Sequence, residues 1–500
     1  MSISKIKSFW VAACFFVLLF ATLLAIRLEV PDKLFSDHAP AHLMDPIAKG
    51  NITEASKKDS WMNIFQNDKK IGYTHSIFSN QESGFILKET VFMRINTMGK
   101  VQDLHIRTHG RLDTDFSLSS FEFKITSGIF SFSANGTVSG NTLSVKTQSA
   151  GTERSMDIHL QKKPYLITGI LNTIRMSDIK PGKEYIYDIF DPATMGQEPV
   201  NIIVMDIEDI RIMGKTVKAS KISMDFKGAK QLVWLDKNGD VLKEEGLLGI
   251  TLIKTTLEDA RSNLIFQASE DLVEAVSIAA NVPLNETDTL SKLEVEISGA
   301  TTNNAYLNGG RQILNGNILT IQKESLQNLP FPFDTNDLTN DEINFVKPTP
   351  FIQSDHKKIR DLVNKIVSEQ DTPLEKTRKL LFWIHKNIDK KPVVSLPDAL
   401  STLENRMGDC NEHAALMAAF ARAAGIPAKI EAGLVYLNGR FYYHAWNLLY
   451  IGRWITVDSL LGQIPADVSH IRLSSGELKE QLNLMSMLGN IKLKIKSYSK

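Results

Sequence analysis

The sequence predicts an α+β protein in which a large antiparallel β-rich region precedes a C-terminal domain of mixed helices and strands, with a transmembrane helix at the N-terminus. Three observations support this prediction. An uncharged apolar run covers residues 9–26. Short runs rich in aromatic and β-branched residues, separated by Gly and Asn, extend from Trp61 to about Thr256. Apolar residues recur at helical spacing from Asp355 onward.

The composition allows several domains and gives no sign of nucleic-acid binding. The chain has 500 residues, of which 43% are hydrophobic, which is enough for roughly three domains with separate cores. Lys and Arg together number 57, as do Asp and Glu. A chain without excess positive charge lacks the attraction that draws proteins to phosphate backbones. We therefore expect no nucleic acid among its partners.

The N-terminal segment predicts a signal anchor. Its apolar run ends at Arg27 and is close in length to one bilayer crossing. Lys5 and Lys7 precede the run and should stay in the cytoplasm. We therefore expect a single-pass protein of the inner (cytoplasmic) membrane, with most of the chain in the periplasm or outside. No A-x-A-like cleavage site follows, which favours an uncleaved anchor over a removed signal peptide. The anchor is assigned to residues 1–27 and a polar linker to 28–60.

The middle of the chain predicts two β-rich units. The first covers residues 61–260 and includes a hairpin at Asn238-Gly239, because Asn-Gly supplies the positive φ angles of a tight turn. The second, residues 261–350, is expected to hold a connecting helix followed by a small β-unit. The stretch from Ser269 to Ala280 predicts that helix, since it begins with a Ser N-cap and carries an apolar stripe.

The last domain, residues 351–500, is predicted to begin with two helices. Asp355 to Glu369 carries an apolar stripe at helical spacing. In the next helix Thr372 is the N-cap, Pro373 occupies the first helical position and Glu375 closes a capping box.

A third helix begins at a lone cysteine. Asp409 and Cys410 precede an apolar stripe that ends before Gly425, so Cys410 lies in the first helical turn. The other cysteine, Cys14, lies inside the apolar run, so the exported part contains no disulfide. The positive end of the helix dipole favours a thiolate, and we expect a pKa below the free value of about 8.5, with Asp409 opposing this. A buried, inert cysteine is the alternative.

A nucleophilic thiol needs a base, and the base needs an orienting partner. His444 in YYHAWNLLY and Asp458 in RWITVDS are the candidates. With a three-residue hairpin loop at 450–452, His444 faces Asp458 at a Cβ separation of about 5 Å. A two-residue turn instead places the two side chains on opposite faces, unless a bulge corrects the register. His413 is a competing base, because it lies three positions after Cys410 on the same helical face.

Cys410 and His413 also allow a metal alternative. A structural zinc site takes four ligands, and the exported part of the chain has no second cysteine. We therefore predict no metal, and the residues imply no cofactor.

The stretches MGDCNEHAALMAAFARAAGIPAKI and FYYHAWNLLYIGRWITVDS resemble the core of the transglutaminase-like superfamily. They carry, in order, a G-x-C helix start, an A-G-I-P-A helix exit, H-A-W and W-x-x-x-D. The resemblance covers about 355–467. It implies a papain-like α+β fold with Cys410 as nucleophile, His444 as base and Asp458 as the group that orients the imidazole. The region from Trp61 to Thr256 is similar to β-rich modules that precede such domains in bacterial envelope proteins.

The resemblance implies a membrane-anchored, extracytoplasmic cysteine hydrolase or acyltransferase. Its substrates would be protein or peptide amides, including peptides linked to peptidoglycan. The reaction would pass through a thioester that water or an amine resolves. The alternative is a non-catalytic envelope binding or scaffold protein that uses the same fold.

Overall fold

The computed structural model describes residues 57–173, 180–226, 229–262, 266–299, 304–329, 339–477, 480–481, 484 and 490–500. The predicted membrane span at 9–26, and most of the predicted linker, lie outside these residues. Among the residues that the structure describes, no helix combines the length and the apolar character needed to cross a bilayer.

The first fourteen strands form one antiparallel sheet. They are β1 (Lys58–Gln66), β2 (Lys69–Gln81), β3 (Gly84–Thr97), β4 (Lys100–Leu112), β5 (Leu118–Ser127), β6 (Phe130–Ser139), β7 (Thr142–Ser149), β8 (Thr152–His159), β9 (Glu184–Asp191), β10 (Gly196–Ile212), β11 (Lys215–Phe226), β12 (Ala229–Leu235), β13 (Val241–Glu245) and β14 (Ile250–Thr255). Their order is β8-β7-β6-β5-β4-β3-β2-β1-β14-β13-β12-β11-β10-β9. Every pairing but β1 with β14 therefore joins strands that follow each other in the chain.

The hairpin predicted at Asn238-Gly239 joins β12 and β13, but its turn differs from the expected one. Only Gly239 of the pair has a positive φ, at 74°. The loop is closed by Asp236, whose Oδ1 accepts the backbone N–H of Asn238 at 2.8 Å and of Asp240 at 2.9 Å. Because the Asp236 side chain closes the loop with these two hydrogen bonds, Asn238 does not need a positive φ.

The remaining elements alternate short helices and strands. The helices are α1 (Ile167–Thr173), α2 (Leu257–Arg261), α3 (Leu272–Ala275), α4 (Asn304–Leu307), α5 (Asn340–Asn344), α6 (Lys357–Ile366), α7 (Pro373–Asn387), α8 (Ala399–Asn405) and α9 (Cys410–Ala423). The strands are β15 (Ile278–Ala279), β16 (Lys292–Ser298), β17 (Gln312–Asn315), β18 (Ile318–Gln322), β19 (Asp389–Lys390), β20 (Met407–Gly408), β21 (Ala428–Leu437), β22 (Arg440–Tyr450), β23 (Trp454–Val457), β24 (Ile471–Ser475) and β25 (Lys492–Ser499).

The helix predicted from Ser269 to Ala280 is wrong in extent. Only α3 is helical there, and its N-cap is Asp271 rather than Ser269. The chain then turns into β15, where Ile278 pairs with Phe441 of β22. Pairing with the edge of that sheet ends the helix early, so tertiary context overrides the local apolar stripe.

The small β-unit is completed by the end of the chain. Its four strands run in the order β17-β18-β16-β25, so the last strand of the predicted C-terminal domain joins the predicted connecting unit. Leu293 and Val295 of this sheet share one buried cluster with Leu434 and Phe441 of the neighbouring sheet. The segments predicted as 261–350 and 351–500 therefore share a hydrophobic core.

The C-terminal domain packs helices against a five-stranded sheet ordered β15-β22-β21-β24, with β23 beside β22. The predicted capping box of α7 is present, with Thr372 as N-cap and Glu375 as its partner. Helix α9 is the central helix, since Leu416, Met417 and Phe420 have no exposed surface. A large antiparallel β-region followed by an α+β domain is thus the architecture predicted from sequence.

Candidate active site

Helix α9 begins at Cys410, and a capping box fixes its first turn. Asp409 is the N-cap; its Oδ1 accepts the N–H of Asn411 at 2.9 Å, and Glu412 Oε2 accepts the N–H of Asp409 at 3.0 Å. Gly408 makes room for this box, because a Cβ there would lie 2.3 Å from the Glu412 Cβ. The local sequence therefore places the thiol at the start of a rigid, well-capped helix.

Strand β22 runs beside this helix. Asn447 Nδ2 donates to the Ala414 carbonyl oxygen at 2.9 Å and so ties the strand to α9. The backbone N–H of Ala445 faces the Cys410 thiol and lowers its pKa. Since Ala445 follows His444 in the chain, the sulfur lies against the residue adjacent to the predicted base.

His444 and Asp458 form a direct hydrogen bond. His444 Nε2 is 2.6 Å from Asp458 Oδ2, and the two residues are only 5% and 1% exposed. Asp458 Oδ1 accepts the N–H of Leu461 at 2.8 Å. The carboxylate therefore has both oxygens engaged and a fixed orientation.

The predicted strand register is wrong by two residues, although the contact forms. Tyr450 pairs with Trp454, and Asn447 pairs with Val457, so the loop is 451–453 rather than 450–452. Packing of the Tyr450 and Trp454 rings, with centroids 5.4 Å apart, accompanies this register. A shift of two residues keeps each side chain on its face of the sheet. Asp458 therefore still lies on the His444 side and reaches it diagonally, just beyond the end of β23.

The protonation of the site follows from these contacts. An ionised carboxylate only accepts hydrogen bonds, so His444 carries its proton on Nε2 and has a lone pair on Nδ1 when neutral. Burial opposes ionisation of Asp458, but the charge of His444 and hydrogen bonds from His444 and His470 hold the pKa of Asp458 far below its ordinary value. Asp458 is therefore ionised at neutral pH although it is buried.

The prediction of a lowered pKa for Cys410 is contradicted. The residue retains some exposed surface, but burial of its sulfur raises its pKa well above the ordinary value, and the charge of Asp409 adds to the increase. The Ala445 N–H lowers the pKa, and the charges of Glu412 and Asp458 raise it further. Desolvation and nearby acidic groups outweigh the helix dipole, so the resting group is a neutral thiol.

His413, the competing base, is held in a different environment. It is 1% exposed, and its Nδ1 lies 2.8 Å from the Asp409 carbonyl oxygen. Its Nε2 has no hydrogen-bond partner among the described residues. Burial lowers the pKa of His413 despite the Asp409 carbonyl. No carboxylate in the described part of the chain orients this ring as Asp458 orients His444.

Two residues of the site were not predicted from sequence. His470, just before β24, donates from Nε2 to Asp458 Oδ2 at 2.9 Å, and its Nδ1 is 3.2 Å from Asp467 Oδ1. The sequence offers a weak signal, an Asp and a His three positions apart. That spacing does not predict the contact with Asp458. Asp458 meets His470 only because the 459–469 connection folds back on the sheet.

Three side chains of the site could in principle bind a metal ion. His444, Asp458 and His470 each offer one ligand atom, and these atoms all lie within 4.8 Å of one another. Ligands of a tetrahedral zinc ion, each bound at about 2.0 to 2.1 Å, stand roughly 3.4 Å apart. The two Nε2 to Oδ2 distances of 2.6 and 2.9 Å are shorter. The arrangement fits two N–H···O hydrogen bonds rather than a shared ion.

Comparison with known proteins assigns the domain. Residues 360–459 match the family model of the transglutaminase-like superfamily, and this range contains Cys410, His444 and Asp458. No curated protein matches the chain.

Three solved structures are similar to parts of the chain. They are a "Putative Cysteine Protease" from Cytophaga hutchinsonii (19% identity, 42% of this chain and 86% of that chain, TM-score 0.29), the periplasmic domain of TgpA from Pseudomonas aeruginosa (16%, 37% and 93%, 0.22), and a β-barrel-like protein of the domain of unknown function DUF1849 from Brucella abortus (12%, 40% and 94%, 0.31). The TM-scores are low, so the domain assignment depends on the family match.

Proposed function

We propose that the transglutaminase-like domain of this chain is a cysteine hydrolase or acyltransferase acting on protein or peptide amides. Cys410 is the nucleophile, His444 the general base and then general acid, and Asp458 the group that orients the imidazole. The observation that carries the proposal is the buried 2.6 Å hydrogen bond from His444 to Asp458, in a strand that Asn447 ties to the Cys410 helix through the Ala414 carbonyl oxygen.

The raised pKa of Cys410 determines when the thiol proton is transferred to the base. A neutral thiol has to lose its proton during attack, so His444 Nδ1 accepts the Sγ proton as the bond from Sγ to the carbonyl carbon forms. Asp458 stabilises the resulting imidazolium. When the carbon–nitrogen bond breaks, the imidazolium returns that proton to the leaving amine, and the acyl group remains as a thioester. Water yields the acid and an amine yields a new amide, and the thiol is regenerated in both cases.

Alkylation of the thiol tests this assignment. We would use the full chain carrying Cys14→Ala, so that Cys410 is the only thiol, and measure the rate with iodoacetamide across pH. We expect the parent to react at neutral pH and His444→Ala to react at least about tenfold more slowly at pH 7, because a thiol with a raised pKa and no base is protonated there. His413→Gln is the matched comparison and should retain the parent rate.

Two outcomes would contradict the assignment. Identical pH profiles for the parent and His444→Ala would exclude an activated nucleophile. Loss of reactivity in His413→Gln alone would transfer the role of base to His413.

The raised pKa also favours a second candidate function, a non-catalytic binding module of the cell envelope. Alkylation that is equally slow at pH 7 in the parent and in His444→Ala would support that function. Incubation with a peptide substrate pool and a primary amine separates the reaction types of the first candidate, since a hydrolase forms free carboxylates and an acyltransferase incorporates the amine.

We further propose that the domain acts outside the cytoplasm on a membrane tether. The apolar run at 9–26 after Lys5 and Lys7 supports this proposal. In fractionated cells, the full-length chain should sediment with the inner membrane and be degraded by protease added to spheroplasts. A chain released at reduced mass would instead indicate a removed signal peptide.

A further inference from the structure

His470 is a fully buried histidine with a carboxylate at each ring nitrogen. Its side chain has no exposed surface. Nε2 lies 2.9 Å from Asp458 Oδ2 and Nδ1 lies 3.2 Å from Asp467 Oδ1. A neutral imidazole has a single N–H, whereas an imidazolium has two. Two ionised carboxylates, one at each nitrogen, therefore require the imidazolium form.

Asp467 is itself held as an ionised acceptor. Its Oδ1 accepts from the Ser469 N–H at 2.9 Å and the Ser469 hydroxyl at 2.6 Å. Its Oδ2 accepts from the Thr287 hydroxyl at 2.8 Å and from Gln463 Nε2 at 3.1 Å. Burial opposes ionisation, but the His470 hydrogen bond holds the pKa of Asp467 far below its ordinary value. The acid therefore stays charged beside His470.

The other ionisable groups around His470 come from β22, from the residue before β17 and from the segment after β18. His444 of β22 is nearest, with ring centroids 5.6 Å apart. Arg311, just before β17, donates to the His470 carbonyl oxygen at 3.0 Å and pairs with Glu324 at 3.2 Å. The uncharged Trp446 ring packs edge-on at 5.1 Å. Burial lowers the pKa of His470, but the bonds to both carboxylates outweigh burial and raise it overall.

We propose that His470 is a positioning residue that stays protonated at neutral pH and, by sharing Asp458 Oδ2 with His444, fixes the carboxylate and places a positive charge beside His444. This inference rests on the proposed function. With Oδ1 held by the Leu461 N–H and Oδ2 by two imidazoles, Asp458 cannot rotate away from His444. The cation on His470 also opposes a second positive charge on His444. The base can therefore accept the thiol proton and release it again to a leaving amine.

The pH profile of thiol alkylation separates this role from simple packing. The acid limb of the profile is the pH range in which alkylation slows as pH falls. In the Cys14→Ala background, we expect His470→Gln to move this limb upward by about one pH unit. The reason is that loss of the neighbouring cation removes its repulsion of a proton on His444. Asp467→Asn should move the limb in the same direction, because His470 without that carboxylate becomes neutral. Thr289→Val is the matched control: it removes a nearby hydroxyl that bonds the Glu286 carbonyl oxygen rather than Asp467, and it should leave the limb in place.

The protonation state of the His470 ring can also be measured directly by NMR, which tests the inference even if His470→Gln fails to fold. Ring nitrogens of the full chain, labelled with ¹⁵N-histidine, should show His470 doubly protonated at about pH 8, where an ordinary imidazole with a pKa of about 6.5 is neutral. A neutral His470 ring, or an acid limb unmoved in both His470→Gln and Asp467→Asn, would overturn the proposal.

The two proposals fail separately. If His444→Ala leaves alkylation unchanged, the proposed function is lost, while the His470 ring state is still read by NMR. If His444→Ala slows alkylation but neither His470→Gln nor Asp467→Asn moves the acid limb, only the positioning role of His470 is contradicted.

Discussion

Two pairs of acidic side chains, one pair in each half of the molecule, are held in opposite charge states. In the large sheet, Glu89 of β3 and Glu244 of β13 are partly buried, and the pKa of each is raised to about 7. Burial is the main cause in both, and the charge of Glu244 adds to the effect on Glu89. In the transglutaminase-like domain, Asp458 and Asp467 are buried more completely, yet both have lowered pKa values.

The difference comes from the partners rather than from the depth of burial. Glu244 accepts a hydrogen bond from the neutral Gln231 amide at 2.6 Å, which does not compensate for the lost water. Asp458 and Asp467 share the His470 ring, and Asp458 also receives the His444 bond. A buried carboxylate keeps its charge only where cationic or well-aligned donors surround it. Asp458 and Asp467 have such donors, whereas Glu89 and Glu244 lack them and bind a proton at a higher pH than an ordinary carboxylate does.

Replacement of Asp458 should have the largest effect. Asp458→Asn removes the charge that stabilises the His444 imidazolium, so we expect a loss of about 10² to 10⁴-fold in kcat/KM on any amide substrate found. Amide turnover with a fluorogenic peptide pool measures it. The control Asp389→Asn changes an exposed carboxylate paired with Lys391 and should leave turnover unchanged. Equal turnover in Asp458→Asn and the parent would remove the orienting role and weaken the contrast between the two regions.

Glu244→Gln should have a moderate and pH-dependent effect. A carboxyl whose folded pKa is raised stabilises the fold at pH values below its unfolded pKa, and this contribution is lost as pH rises through about 7. The amide needs no proton, so the variant should gain about 2 kcal/mol in the free energy of unfolding at pH 8 relative to the parent, and less at pH 5. Urea unfolding at the two pH values measures this difference.

The exposed Glu153, with 62% of its side chain accessible and a lysine, Lys146, as its partner, provides the control Glu153→Gln. It should change stability equally at both pH values. A Glu244→Gln variant that is less stable at pH 8 would show that the sheet region stabilises its acids by pairing, as the other domain does.

The smallest effects should come from turns, where the two regions are alike. Gly239 joins β12 to β13 with a φ of 74°, and Gly439 joins β21 to β22 with a φ of 87°. Ala is strained at positive φ, so each Gly→Ala change should cost about 1 kcal/mol in urea unfolding. If only Gly439→Ala also slows alkylation of Cys410, the β21–β22 turn sets the geometry of the site as well as its stability.

Much of the site could be predicted from local sequence. The cap Asp409, the box residue Glu412 and the stop at Gly425 define α9 and the place of Cys410 within it, because capping and helix termination depend on near neighbours. Given a three-residue loop, the alternation of side chains predicted His444 and Asp458 on one face, whereas a two-residue turn would have separated them. The register itself was missed, because the sequence permits more than one three-residue loop, and only the folded hairpin, with Tyr450 opposite Trp454, shows which one forms.

Other features depended on contacts distant in the chain. His470 meets Asp458 only after the connection from residue 459 returns to the sheet, and Ser269 does not start a helix because Ile278 pairs with a strand far along the chain. The ionisation of Cys410 was likewise misjudged, since the sequence shows the helix dipole but not the desolvation of the sulfur.

The sequence by itself indicated Cys410, His444 and Asp458 as the candidate site and fixed where α9 begins, since caps and side-chain alternation are set within a few residues. Only the tertiary structure decided how those groups are charged. A pKa depends on the water that is excluded and on the donors that replace it, and at this site those donors come from His444 of β22, His470 before β24 and Thr287, which are brought together only by folding.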